Sequence, residues 1–397
     1  LKILVVHEVD YLEKVIYEIH EFPEMLATAG HDVTFFQFQE GADREKKNRF
    51  RERLIDGRVY PEARIKLVGP HQFGIPALDR LWATLSCLPA LFKLFRKSKF
   101  DVVLNYAVPT YGLQVLAVAG FFKVPVVHRS LDVSHELRGV FRMPILAVER
   151  ILYRLVDYIS ANNSAMKKYC DELSERSKPT ILNYPPLDLS HFSPRPKDVS
   201  LASSLGILPG DRVITYMGSF FYFSGLPEVV KKFAALTNKD SDIKLLLIGG
   251  GEQEQELRSL VAELSLNDRV IFTGYAPYAD LPRYLRLADV AINPLKISRV
   301  SSVAFPHKVL QYLASGLPVV STRLDGLVSA LEGIQNLDWV ESPEDCLDRA
   351  IELIKNSDLT LGLDSNKKVL ASLFAPAIAL ESLTNTLNLA VSGRTTK

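Results

Sequence analysis

The chain has 397 residues, room for two domains of about 150–200 residues each. It is 47% hydrophobic and 23% charged with a net charge of +1, a globular composition that excludes disordered and collagenous classes and gives no global field for nucleic acid. Cys87, Cys170 and Cys346 fit neither a disulfide framework nor a metal motif, read as buried reduced thiols, and point to the cytoplasm.

The chain is read as opening on a strand, Ile3–Val6, and no leader segment is expected. No uninterrupted apolar run of about 18 residues occurs, so no membrane span is expected. A polar loop, HEVDYLEKV, follows; Asp10 in it suits a helix N-cap. A helical pattern covers Tyr11 to Ala29, and Gly30 and His31 turn the chain into the strand Val33–Phe38. Arg44–Lys66 mixes basic and acidic residues and reads as a solvated excursion or a mobile loop. Leu78–Phe100 is amphipathic, aromatic and then basic, ending in Arg96, Lys97 and Lys99. It suits either a packed helix or one lying on an anionic bilayer. Further apolar runs are Val102–Leu104, Val124–Val127, Tyr158–Ala161 and Thr180–Leu182. The segment after Val127 gathers His128, Asp132, His135 and Glu136. A histidine beside a carboxylate can orient a hydroxyl or relay a proton, and His128 equally suits a plain strand end.

Asn183–Pro194, with its adjacent prolines, reads as a linker. Beyond it the strands Val213–Met217, Lys244–Ile248, Val270–Phe272, Val290–Asn293 and Val319–Ser321 alternate with helical patterns. This alternation predicts two doubly wound parallel sheets in series, with ligands beyond the carboxyl ends of the strands and in the cleft between the domains. The segment FPHKVLQYLASGLPVVSTRLDG reads as a helix closed by Gly316 and stopped by Pro318, then a buried strand. Its opening turn offers free backbone N–H groups to an anion.

That last segment resembles the signature of retaining glycosyltransferases of family 4, which have the GT-B fold. Ala314, Gly316, Pro318, Val319, Val320 and Thr322 match its A-x-G-x-P-V-V-x-[ST] pattern. The blocks YMGSFFYFSGL, LLLIGGGEQEQEL, RVIFTGYAP and DLPRYLRLADVAINP precede it in the family's order. Asn183, Asp188, Phe192 and Pro194 match the interdomain segment, and Asp132 and Glu136 match acidic positions of the first domain. The resemblance implies an α/β GT-B fold of two Rossmann-like domains with a cleft between them. Residues 1–187 would bind the acceptor, 188–375 the nucleotide sugar, and 376–397 would form a helix crossing back to the first domain.

By the resemblance, Gly218, Gly249, Gly250 and Gly274 let backbone approach a nucleotide diphosphate, Tyr275 lies where the base is held, and Ala304–Lys308 face the diphosphate. Gln311 stands where the family's glutamate holds the ribose. The family's Arg and Lys in the first glycine loop are Ser219 and Ser224 here, and the glutamate eight residues before Gln311 is Val303. Lys308, supported by Arg299, is expected to replace the missing charge, since a leaving diphosphate needs cationic compensation. His128, Asp132 and Lys308 are the catalytic candidates, and His7, Glu8, His135 and Glu136 the acceptor contacts. Arg44–Lys66 would then be a candidate acceptor loop. The expected activity is retaining transfer of a sugar from a nucleotide diphosphate to a glycan or lipid-linked acceptor in polysaccharide biosynthesis. It would need no cofactor, metal or nucleic acid, and would take place in the cytoplasm with peripheral membrane contact through residues 78–100. A catalytically silent binding protein and a GT-B nucleotide-sugar epimerase are the alternatives.

Overall fold

The computed structural model describes residues 1–38, 52–70, 76–136, 141–175, 179–237, 242–355 and 363–395. The chain divides into two compact units, Leu1–Pro186 with Pro376–Lys397, and Leu187–Ala375.

The first unit is built on an eight-stranded sheet in the order β3-β4-β2-β1-β5-β6-β7-β8. Its strands are β1 (Lys2–Val6), β2 (Asp32–Phe36), β3 (Glu52–Asp56), β4 (Arg64–Val68), β5 (Val102–Asn105), β6 (Val126–Ser130), β7 (Tyr158–Ala161) and β8 (Ile181–Leu182). All neighbours run parallel except β3 and β4. Both faces of β5 and β6 are buried. β5 accordingly reads as an apolar run, whereas β6 starts and ends later than the run Val124–Val127 and carries the buried polar residues His128, Arg129 and Ser130. One face carries Ile3, Val5, Val33, Phe35, Leu104 and Val127. It packs on Ile19, Phe22 and Leu26 of the helix Glu18–Thr28 and on Ala379, Leu383 and Leu387 of the helix Pro376–Thr395. Burying each large aliphatic or aromatic side chain contributes about 1.5–3 kcal/mol. The window Ser365–Gly393 is long and apolar enough to cross a bilayer by length and composition. Its apolar residues Ala379, Leu383, Leu387 and Ala390 are buried in this core.

Two expectations need correction. The first helix starts at Glu18, not Tyr11. Asp10 Oδ1 accepts from Leu12 N–H at 2.9 Å and so holds a turn, while Tyr11 buries its ring and donates to Glu24 Oε1 at 2.6 Å. Of Arg44–Lys66, residues 44–51 lie outside those described. The remainder is no solvated excursion: β3 and most of β4 pair as a hairpin. Its charges sit on an edge, with Asp56 and Glu52 paired to Arg64 and Lys66, while Ile55, Ile65 and Leu67 face the core.

Asn183 ties the returning helix to the sheet. Its Nδ2 donates to Ser382 Oγ at 2.8 Å and Thr386 Oγ1 at 3.1 Å, and its Oδ1 accepts from Ser160 Oγ at 2.6 Å.

The second unit has a six-stranded, wholly parallel sheet in the order β11-β10-β9-β12-β13-β14. Its strands are β9 (Arg212–Met217), β10 (Ile243–Ile248), β11 (Val270–Gly274), β12 (Val290–Asn293), β13 (Val319–Thr322) and β14 (Leu337–Val340). Ile214, Leu245, Leu247, Val290, Ile292 and Val320 pack against Val230 and Phe233 of the helix Leu226–Leu236 and Leu347 and Ile351 of the helix Pro343–Lys355. Strand order reverses between β9 and β12, so their carboxyl ends form the topological switch point where such sheets bind ligands. In the first unit the reversal falls between β1 and β5.

Candidate functional site

Beside the switch point of the second unit, at the carboxyl ends of β9, β10 and β11, the strand-end glycines stack backbone on backbone. Gly218 N–H donates to Ile248 O at 2.8 Å, Gly249 N–H to Gly274 O at 2.9 Å, and Phe220 N–H to Gly250 O at 2.8 Å. Gly249 has φ +130°, and a Cβ there would stand 2.1 Å from Gly218 O, so only glycine fits. Tyr275 is exposed, and its hydroxyl donates to Gly250 O at 2.7 Å, which lays the ring beside Gly250.

The helix His307–Ala314 brings Lys308 to this shelf. It begins after Pro306 and closes at Gly316, φ +81°, where Leu317 N–H returns to Tyr312 O at 3.1 Å. Lys308 Nζ lies 3.9 Å from the centroid of the Tyr216 ring. A Cβ on Gly218 would be 2.9 Å from that nitrogen. Burial pulls the ammonium down to about 7. Tyr312, one turn on, accepts from Met217 N–H at 2.6 Å. Gln311 is buried on the same helix. Ala304 packs its carbonyl where a Cβ on Gly326 would come within 2.2 Å.

The other residues expected on the donor side are placed less directly. Ser219 is half-buried and offers its carbonyl to the Tyr216 hydroxyl at 2.9 Å. Ser224 is buried and turned to its own backbone, accepting from Leu226 N–H at 3.4 Å. Arg299 opens the short helix Arg299–Ser302 and is exposed.

The first unit has a pocket of about 220 Å³ at its own switch point. His7, Glu8, Lys14, Tyr17, His128 and Asp132 are among its lining residues. His7 stacks on Tyr106 with centroids 5.4 Å apart. Glu8 N–H donates to His7 Nδ1 at 2.7 Å, so the neutral ring carries its proton on Nε2. Burial holds both His7 and His128 down to about 3. Both are therefore neutral at physiological pH, suited to orienting a hydroxyl and poor at keeping a proton taken from one. His128 is further occupied by Asn105, whose Nδ2 lies 3.1 Å from its Nδ1. Glu8 is spent on structure: Oε1 accepts from the backbone of Thr110 and Tyr111 at 2.7 and 3.0 Å, and burial raises its pKa.

His135 and Glu136 do not join this pocket. His135 is buried against Glu149, 2.8 Å from Nδ1 to Oε2, and Glu136 accepts from Arg142 at 2.6 Å. His135 was selected for its closeness to Asp132 and Glu136 as a match to an acidic family position, but the turn after Ser134 brings them to Glu149 and Arg142 of the helix Arg142–Leu155. Tyr216 and Lys14 were not selected from sequence. For Tyr216 a signal existed: two residues before Gly218 on a strand, it shares that residue's face.

Two family models match the chain, glycosyltransferase family 4 over residues 19–191 and glycosyl transferases group 1 over residues 211–356. N-acetyl-alpha-D-glucosaminyl L-malate synthase of Bacillus anthracis is 22% identical over 315 residues, 76% of this chain and 77% of the relative. Two other relatives, both called glycosyltransferases or glucosyltransferases, match over only 29% and 35% of their own length. Sucrose-phosphate synthase from Thermosynechococcus elongatus superposes with a TM-score of 0.79 at 19% identity, covering 98% of each chain. Anabaena Alr3699/HepE, solved with UDP and glucose, superposes with a TM-score of 0.76 at 16% identity, covering 98% of this chain and 99% of that one.

Proposed function

The chain belongs to the GT-B glycosyltransferases, with a family 4 domain followed by a group 1 domain, and from that premise we propose that it transfers a sugar from a nucleoside diphosphate donor to a hydroxyl of a glycan or lipid-linked acceptor with retention. The observation that carries this reading is Lys308, a cation beside the glycine shelf in a chain that lacks the family's usual Arg and Lys. The diphosphate would lie along the ends of β9 and β10 with its charge met by Lys308 and by the opening turn of the helix His307–Ala314. The base would rest near Tyr275 and the ribose at Gln311. The acceptor hydroxyl would be oriented by His7, His128 and Asp132. No side chain is assigned as nucleophile, and the leaving phosphate itself would take the acceptor proton. A silent binding protein would hold the nucleotide and release no diphosphate from a donor, and an epimerase would change the donor's sugar with no acceptor.

Nucleotide affinity at Gln311 tests the placement. Gln311→Glu is expected to bind UDP or GDP as well as wild type or up to about fivefold more tightly, because a carboxylate accepts from both ribose hydroxyls in bonds about 1 kcal/mol stronger. Gln311→Ala is expected to bind about tenfold more weakly. Equal affinities for all three proteins, by calorimetry, would remove the ribose from this helix.

We also propose peripheral contact with an anionic membrane through the helix Pro76–Lys97. Leu81 and Leu85 are 63% exposed, and Trp82 and Leu88 lie beside them on the surface. A groove of about 710 Å³ lined by Leu88, Pro89, Phe92, Lys93, Arg96 and Lys97 adds positive charge to that apolar face. Leu81→Glu with Leu85→Glu is expected to abolish cosedimentation with vesicles containing phosphatidylglycerol and to leave nucleotide affinity unchanged. Equal cosedimentation of variant and wild type would rule the face out.

A further inference from the structure

Lys308 is held without an acid. Among the described residues no carboxylate comes within ion-pair distance of it, and burial is the one cause lowering its pKa. What meets the ammonium is the face of Tyr216, at a distance well inside the roughly 6 Å limit for attraction between a cation and a ring. We propose that Tyr216 is a positioning residue that holds the Lys308 ammonium at the Gly218 turn, so that its charge meets the diphosphate of a nucleotide donor. This rests on the reading that the second unit takes the donor.

Three features support the assignment. Tyr216 and Gly218 share one face of the chain at the end of β9. The missing side chain of Gly218 leaves the gap through which Nζ reaches the shelf. The Tyr216 ring is itself fixed, because it is buried in the core of the second unit among residues such as Phe220 and Leu247. Tyr312 repeats the grip one helical turn away by accepting from Met217 N–H. Lys308 and Tyr312 thus clasp Tyr216, Met217 and Gly218 in sequence. The chemistry differs from that of an ion pair. A carboxylate beside Lys308 would neutralise it and repel a phosphate. A ring face attracts the ammonium and leaves its N–H groups for phosphate oxygens.

The test compares affinities for UDP and uridine, whose ratio isolates the diphosphate. Tyr216→Met is expected to lower that ratio about tenfold, and Tyr216→Phe to keep it near the wild-type value. On a Lys308→Met background the Tyr216→Met change is expected to have no further effect, because Tyr216 acts through Lys308. Phenylalanines of increasing fluorination at position 216 keep the shape while weakening the ring face, and should lower the ratio stepwise even if Tyr216→Met fails to fold. An unchanged ratio along that series overturns the proposal. So does an equal loss in Tyr216→Phe, or a loss that persists without Lys308. If wild type binds neither uridine nor UDP, the donor reading itself falls, an outcome separate from these.

Discussion

Lys308→Ala is expected to slow release of nucleoside diphosphate from the donor sugar by about 30- to 1,000-fold, the counterpart of about 2–4 kcal/mol of transition-state stabilisation. The serines of the first glycine loop cannot replace it: Ser224 is turned inward and Ser219 presents its carbonyl to Tyr216. The fold should survive, since among the described residues Lys308 has no ion pair to lose, and its removal relieves the cost of a partly desolvated charge. The pH dependence gives a second signature. With its pKa at about 7, Lys308 in the donor-free enzyme loses its charge as pH rises through neutrality. kcat/KM should therefore fall above about pH 7, and this limb should be absent from Lys308→Ala. Stability runs the other way. The folded pKa lies below the ordinary lysine value of 10.5, so the unfolded chain binds more protons between about 7 and 10.5. Lys308 thus makes stability rise with pH across that window in wild type, an increment missing from the variant. A variant with near-normal turnover would show that the diphosphate charge is met elsewhere.

Much of the fold was legible because parallel strands buried on both faces are unbroken apolar runs. β1, β5, β9, β10, β12 and β13 fall on or within about a residue of the runs read from sequence. The strands that escaped lie at or next to sheet edges. β3 and β4 alternate Ile55, Ile65 and Leu67 with Glu52, Arg53, Arg64 and Lys66, and the charges dominate the composition. β14, LDWV, has one buried residue. The first helix was read too long because Tyr11 to Tyr17 carries apolar residues at helical spacing, although Tyr11 packs as a loop anchor hydrogen-bonded to Glu24.

The site was legible where the chemistry depends on backbone. Glycines at strand ends announce close approach, and the shelf at Gly218, Gly249 and Gly274 follows from them. Side-chain partners are harder, because they depend on which distant elements meet. Nothing local shows that residue 308 rests on residue 216, or that His135 belongs to Glu149 while His128 lines the pocket. Proximity to Asp132 in sequence placed both His128, as a catalytic candidate, and His135, as an acceptor contact, beside one site. The turn between them gives them different neighbours.

Arg129→Ala is expected to cost about 3–5 kcal/mol of stability. Arg129 lies on β6 and is fully buried. Its Nε and Nη2 donate to Glu18 Oε1 and Oε2 at 2.7 and 2.9 Å, and Nη1 donates to Ser160 Oγ at 2.9 Å and Asn183 O at 2.7 Å. The guanidinium also lies 5.1 Å from the Phe22 ring. One side chain thus joins the start of the first helix, β7 and the segment whose Asn183 side chain anchors the helix Pro376–Thr395. Removing it strands the Glu18 carboxylate in the interior and leaves a buried carbonyl with one donor fewer. For a unit of this size, calorimetry should show its melting transition lowered by roughly 6–20 °C. The second unit holds none of these groups, so the nucleotide affinity proposed for it should be unchanged in the folded variant. Arg129→Met with Glu18→Leu should recover most of the loss, because it removes both charges together. A shift of under about 3 °C in Arg129→Ala would mean that water reaches Glu18 and that the network contributes little. A full loss in the double variant would show that the fork geometry, rather than relief of an unpaired charge, holds these elements in register.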